Sequence, residues 1–195
     1  GLFFLCGKIY NNKAIHYLTL AANNGSIEAQ IKLGIIYYKG KHVKEDINKT
    51  IHFFTLAANQ GDSTSQTYLG IIYYNGEKGV LIDINKSIYY FKLAADQNDG
   101  QALHELGMIY YKNKYIKQDL NKALEYLTRA ADQNYVKSQL ELYYFYINKD
   151  ANKAIYYLKK AAKQNNAEAN SKLGLLYFDG KYIKKDINKA IYHLT

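Results

Sequence analysis

The sequence predicts an all-α fold of stacked helix-turn-helix repeats, and three markers that keep one beat predict it. An Asn-Lys step recurs at Asn12, Asn48, Asn85, Asn121, Asn152 and Asn188, at intervals of 36, 37, 36, 31 and 36 residues. Ala-Ala pairs begin at Ala21, Ala57, Ala94, Ala130 and Ala161, at intervals of 36, 37, 36 and 31. Leu-Gly pairs begin at Leu33, Leu69, Leu106 and Leu173, and Leu142-Tyr143 holds the same slot in between. A period in this range marks units that bury their apolar faces only against neighbours. The 195 residues read as one solenoid domain with repeats at 1–25 (partial), 26–61, 62–98, 99–134, 135–165 and 166–195 (partial). Because Gly1 is not Met and Thr195 stops inside a motif, the chain reads as an excerpt of a longer protein.

The repeat from Ser26 to Gly61 shows why each element forms. Ala29, Leu33, Ile36 and Tyr37 follow i, i+4, i+7 and i+8, one apolar stripe on a helix of 3.6 residues per turn. This A helix should end near Lys39-Gly40, where glycine accepts the left-handed conformation. Asp46 sits where the next helix needs an N-cap, and Asp83, Asp119, Asp150 and Asp186 repeat it. The B helix runs on through Ile51, Phe54, Leu56, Ala57 and Ala58 to Gly61, its lysine facing solvent. Gly34 costs about 1 kcal/mol in mid-helix relative to Ala, which is tolerable where another helix packs on bare backbone. Val43, Leu81, Ile116 and Ile183 are expected to plug the A-to-B loops over each helix pair. The Ile-Ile-Tyr-Tyr runs from Ile35 and Ile71 are β-prone, but their setting is helical. No proline interrupts any element.

Composition narrows the function classes. The formal charge is +9, yet Arg129 is the only arginine, so bidentate phosphate or guanine contacts are nearly absent. Many lysines recur at one structural position, as Lys49, Lys86, Lys122, Lys153 and Lys189 do, which suits a solvated helix face better than a nucleic-acid footprint. Cys6 is the only cysteine, so no internal disulfide forms and a reducing, cytoplasmic setting is the expectation. The endoplasmic reticulum and secretion stay open, and sequons at Asn24, Asn48 and Asn85 are no guide in so Asn-rich a chain. Leu2 to Cys6 is too short an apolar run to cross a bilayer, so no membrane insertion is expected.

No pattern for catalytic chemistry holds. Gly34 to Lys41 and Gly174 to Lys181 imitate a phosphate-binding loop but are helical in pattern where a strand-to-helix loop is required. His16, His42, His52, His104 and His193 never form a helical zinc pair, and there is no Ser-x-x-Lys nucleophile. His193 replaces the Tyr17, Phe53, Tyr90, Tyr126 and Tyr157 of other repeats, which marks a packing role. No metal, no cofactor and no catalysis are expected.

The pattern Ala29, Leu33, Gly34, Tyr37, Gly40, Val43, Asp46, Lys49, Thr50, Ala57, Ala58, Gly61 returns as Ala169, Leu173, Gly174, Tyr177, Gly180, Ile183, Asp186, Lys189, Ala190. It resembles the Sel-like repeat (SLR) family over almost the whole chain. The resemblance departs at the 135–165 repeat, five residues short and carrying Tyr143 for Gly, so its loop must be tight. It departs also where Gly7 and Tyr10 crowd Asn12, so the first A helix should be truncated or irregular. The resemblance implies an α/α right-handed superhelix that acts as a non-catalytic scaffold or adaptor. Its partner, a peptide or helix of another protein, would lie on the concave face of the A helices. By position that face holds Ile35, Ile71, Met108, Tyr144 and Leu175 in one row and Tyr38, Tyr74, Tyr111 and Phe178 in a second. Ile31, Thr67, His104, Leu140 and Ser171 precede them by one turn, with His104 expected to hydrogen-bond at the surface. The packing face is supplied by Ala29, Leu33 and Tyr37, and Tyr38 points about 100° away from it. SLR arrays are also fused to catalytic domains such as kinases, so a regulatory arm of a larger enzyme is the second reading. Neither reading sets an oligomeric state.

Overall fold

The computed structural model describes residues 2–40, 43–112 and 114–195, with side chains from Lys13 onward. The side chains of Cys6, Gly7, Tyr10 and Asn12 and the Lys41-His42 pair lie outside the described residues. Among those described, eleven α-helices and no strand are present. They form two compact units, the first through Gln97 and the second from Asn98. The first contains α1 (Leu2–Asn23), α2 (Ile27–Lys39), α3 (Ile47–Asn59), α4 (Ser63–Asn75) and α5 (Ile84–Asp96). The second contains α6 (Gly100–Lys112), α7 (Leu120–Asp132), α8 (Val136–Tyr146), α9 (Ala151–Ala162), α10 (Ala167–Asp179) and α11 (Ile187–Leu194). Within each unit consecutive helices pack on one another, which makes the fold an all-α solenoid of helical hairpins.

The hairpins are built from the recurring motif. Asp46, Asp83, Asp119, Asp150 and Asp186 each accept the backbone N-H three residues on, at 2.9–3.1 Å. The same aspartates donate their own backbone N-H to the carbonyls of Tyr37, Tyr73, Tyr110, Tyr146 and Tyr177 at 2.7–3.1 Å. The side-chain cap bonds contribute about 1 kcal/mol each. The rings of those tyrosines stack on Phe53, Tyr90, Tyr126, Tyr157 and His193, with centroids 5.8–6.4 Å apart. His193 thus fills the packing role its position implies. Lys49, Lys86, Lys122, Lys153 and Lys189 are exposed, as expected, but each lies 4.2–5.4 Å over one of the same tyrosine rings. One tyrosine therefore receives a cap, a stack and a cation, worth roughly 0.5–1 kcal/mol for the cation at an exposed site.

The mid-helix glycines are sites of close approach. A Cβ on Gly34 or Gly70 would lie 2.6 Å from the ring of Phe54 or Phe91, and one on Gly107 2.6 Å from Leu127. Those three side chains are fully or almost fully buried, so they cannot swing aside. At the B-to-A turns Gly25 and Gly61 take positive φ, and Asn98, Asn134 and Asn165 take it in later repeats. Asn is the residue other than Gly that best tolerates this region.

Three features differ from expectation. First, α1 is one continuous helix of 22 residues with no A-to-B break; the sequence near Asn12 lacks both the glycine stop and the Asp cap. Second, Leu81 is 86% exposed, and Val80 packs on the core in its place. A short 3₁₀ turn at Glu77–Gly79, part of the one-residue longer repeat, shifts the register there. Third, buried glutamines tie hairpins together. Gln30, Gln66 and Gln139 donate to the carbonyls of Ala22, Ala58 and Ala131 at 2.9–3.1 Å. In turn they accept from Gln60, Gln97 and Gln164 at 2.8–3.0 Å. As foreseen, the shortened repeat turns tightly, at residues 147–150, and the ring of Tyr143 is buried among Ala154, Leu158 and Leu173.

Candidate functional site

Within each unit the A helices, α2 and α4 in the first and α6, α8 and α10 in the second, carry the positions of the two predicted rows. Ser26, Asp62, Asp99 and Asn166 accept an N-H in the first turn of α2, α4, α6 and α10. Leu33, Leu69, Leu106, Leu142 and Leu173 are buried toward the B helices. The candidate rows fall on a different side of each helix.

In the first unit these rows are largely occupied by the protein itself. Ile35 and Tyr38 are half-buried against the Phe54, Leu69 and Ile72 cluster. The Tyr38 hydroxyl donates to Glu77, and Lys78 donates to the Tyr38 carbonyl. Lys78 also lies 4.2 Å over the Tyr38 ring and pairs with Glu45 at 2.8 Å. The bond to Glu77, followed by burial, pushes the Tyr38 pKa up to about 12, so the hydroxyl stays protonated. Ile71 and Tyr74 are half-buried on α4.

In the second unit the rows open progressively. Met108 is half-buried against Leu127 and Leu142. Tyr111 meets Phe145 edge-on at 6.1 Å. Tyr144 is 46% exposed, with its hydroxyl on Glu168 and Lys172 4.9 Å over its ring. Leu175 and Phe178 on α10 are 51% and 52% exposed. Sequence reading did not list Phe145; its position ten residues into α8 falls between the two rows, and the neighbouring helix makes it part of the surface.

His104 is not at the surface. It is 7% exposed, with Nδ1 2.9 Å from the Ser138 hydroxyl and its ring 5.2 Å from Tyr135. Burial, reinforced by Lys137 and Lys112, lowers its pKa to about 4, so it is neutral at pH 7. Thr67 and Leu140, at the same position, are buried too, while Ser171 is exposed. This turn of the A helices joins neighbouring hairpins and offers little to a partner. Glu105, beside His104, is half-buried, and burial raises its pKa against the pull of Lys137.

A cleft of about 930 Å³ lies among α9, α10 and α11, lined by Lys159, Asn170, Tyr177, Lys189 and His193. His193 Nδ1 is 3.0 Å from the Asn170 side-chain oxygen there. Leu194 also borders it, and the equivalent Phe54, Phe91, Leu127 and Leu158 are buried in other hairpins. Among the described residues no group of three or more His, Cys, Asp or Glu is placed to hold a metal ion. No described helix is long and apolar enough to cross a membrane. Thr50 and Ser87, the hydroxyl residues of two sequons, are fully buried.

Comparison with family models matches the Sel1 repeat at residues 11–26, 27–62, 63–99, 100–135, 144–166 and 167–195. Comparison with curated proteins yields no match. A Sel1 repeat protein from Oxalobacter formigenes is similar, with 30% identity and a TM-score of 0.82, over 93% of this chain and 76% of that one. A protective antigen of uropathogenic Escherichia coli strains with an SLR fold gives 26% identity and a TM-score of 0.80. The match covers 92% of this chain but only 39% of the antigen. An immunity protein from Pseudomonas aeruginosa shares the fold at 19% identity and a TM-score of 0.60, over 93% of this chain and 71% of that one.

Proposed function

This chain belongs to the Sel1 repeat family of tetratricopeptide-like helical repeat proteins, generally scaffolds for protein-protein interaction and typically non-catalytic, and from that premise we propose that its A-helix face holds a peptide or helix of a protein partner. The observation that carries this reading is the exposed run of Tyr144, Leu175 and Phe178 on α8 and α10, beside A-helix leucines that are buried. Aromatic and aliphatic side chains on a rigid helical face supply contact area at low entropic cost, and interface anchors are enriched in such residues. Within this reading the chain itself contributes no catalysis, and its second unit makes the main contact.

A photo-crosslinking residue introduced at Leu175 in the source cells tests the proposal against the same residue at Tyr156. Tyr156 is also exposed but lies on the B helix α9. Capture of a defined protein from position 175 and not from 156 is the expected outcome. Capture from 156 alone would overturn the assignment of the face.

A further inference from the structure

The excess charge of the second unit is confined to one edge. Residues 112–122, 149–153 and 179–189 cover the A-to-B loops and the starts of the B helices. They carry ten lysines against four aspartates. Elsewhere in residues 98–195, six basic residues face six acidic ones. The unit is therefore balanced everywhere but here.

The loops form one continuous surface. The Tyr182 hydroxyl in the α10-α11 loop donates to the Asn148 side chain in the α8-α9 turn at 3.2 Å. Across the other junction, Tyr111 meets Phe145, and Lys112 lies 3.6 Å from Glu141. Lys122, Lys153 and Lys189 are held over the hairpin tyrosines already described. Six others are exposed and enter no ion pair among the described residues: Lys114, Lys117, Lys149, Lys181, Lys184 and Lys185. Four of these lie over aromatic rings, Lys149 3.6 Å from the Phe145 centroid and Lys114, Lys181 and Lys185 4.9–5.4 Å from Tyr115, Tyr182 and Phe178.

We infer that this edge docks an acidic segment of a protein partner, whose carboxylates meet the unpaired lysines while its apolar side chains lie against Tyr115 and Phe178. Each of these two rings is about half exposed, so the surface offers cations and apolar area side by side. That combination fits a peptide, which carries both. A nucleic-acid strand fits it less well. Arg129, the one arginine, lies on α7 outside the edge, and Asp119, Asp150, Asp179 and Asp186 interrupt any continuous phosphate track. The edge shares Phe178 with the A-helix face, but it rests on the loop lysines and stands whether or not the rest of that face binds.

The test uses the 195-residue chain and three fluorescein-labelled probes: a ten-glutamate peptide, a ten-glutamate peptide with leucine at alternate inserted positions, and a ten-nucleotide thymidine strand. Fluorescence anisotropy at low salt should show both peptides binding, the leucine-containing one more tightly, with affinity falling as salt shortens the Debye length. The variant Lys117→Glu, Lys149→Glu, Lys184→Glu should weaken both by at least about tenfold with helical circular dichroism unchanged. The first-unit variant Lys39→Glu, Lys44→Glu should change them by less than about twofold. No peptide binding at low salt, equal loss from both variants, or tighter binding of the thymidine strand would each overturn the proposal.

Discussion

The A-to-B loops of the two units share one hairpin design but carry different balances of charge. In the first unit Glu45 and Glu77 sit beside the lysines, and both are engaged: Glu45 by Lys78, Glu77 by Tyr38. In the second unit Lys185 stands directly before the capping Asp186, the place that Glu45 holds before Asp46. The Asp caps, the stacked rings and the lysine over the tyrosine are the same in both. The hairpin is thus a constant frame, and a few loop residues, Glu45 and Glu77 in the first unit, set how much of the loop charge closes on the protein.

If the frame is constant, overpacking it should cost the same in either unit. Gly70→Val and Gly107→Val push a branched side chain to within 2.6 Å of Phe91 and Leu127, and each should lower stability by about 3 kcal/mol or more. Urea denaturation followed by circular dichroism measures both. A variant that is tolerated in one unit alone would show that the frames differ.

Acid should separate the units next. His104 has a folded pKa lowered to about 4, against an ordinary value near 6.5, so the folded state disfavours its proton. Its contribution is complete above pH 6.5 and is lost as pH falls toward 4, by as much as roughly 3 kcal/mol. His104→Gln keeps a polar side chain at the site and removes the titration. The difference in stability between variant and wild type should shrink or invert between pH 7 and pH 4.5. A constant difference would mean that the ring is already solvated.

The smallest effect belongs to the loops. Glu45→Gln with Glu77→Gln removes the partly exposed contacts to Lys78 and Tyr38 and should cost less than about 1 kcal/mol. It should also make the first unit's loop edge more cationic. Stronger binding of the ten-glutamate peptide by this variant would tie edge charge to binding directly, and unchanged binding would not.

The repeat, the caps, the mid-helix glycines and the role of His193 were readable from residues alone, because each recurs at a fixed place and local backbone chemistry requires it. What escaped depends on neighbours. Leu81 and Val80 are adjacent, and only the turn at Glu77–Gly79 decides which one faces the core. His104 has a surface-like position on its own helix, yet Ser138 and Tyr135 close over it. Phe145 becomes surface through its contact with Tyr111. The glutamines look like ordinary polar helix residues until two adjacent hairpins are placed together.

Those glutamines also have a direction. Each amide of Gln30, Gln66 and Gln139 gives its N-H backward along the chain to an alanine carbonyl and takes one from a glutamine further on. The bond to the alanine carbonyl crosses from one hairpin to the preceding one, so sliding them past each other by a helical turn, about 5.4 Å, would leave that buried amide N-H unsatisfied, at roughly 1–3 kcal/mol. The rungs therefore work like the teeth of a rack: within a unit, they oppose any creep of one hairpin along the next.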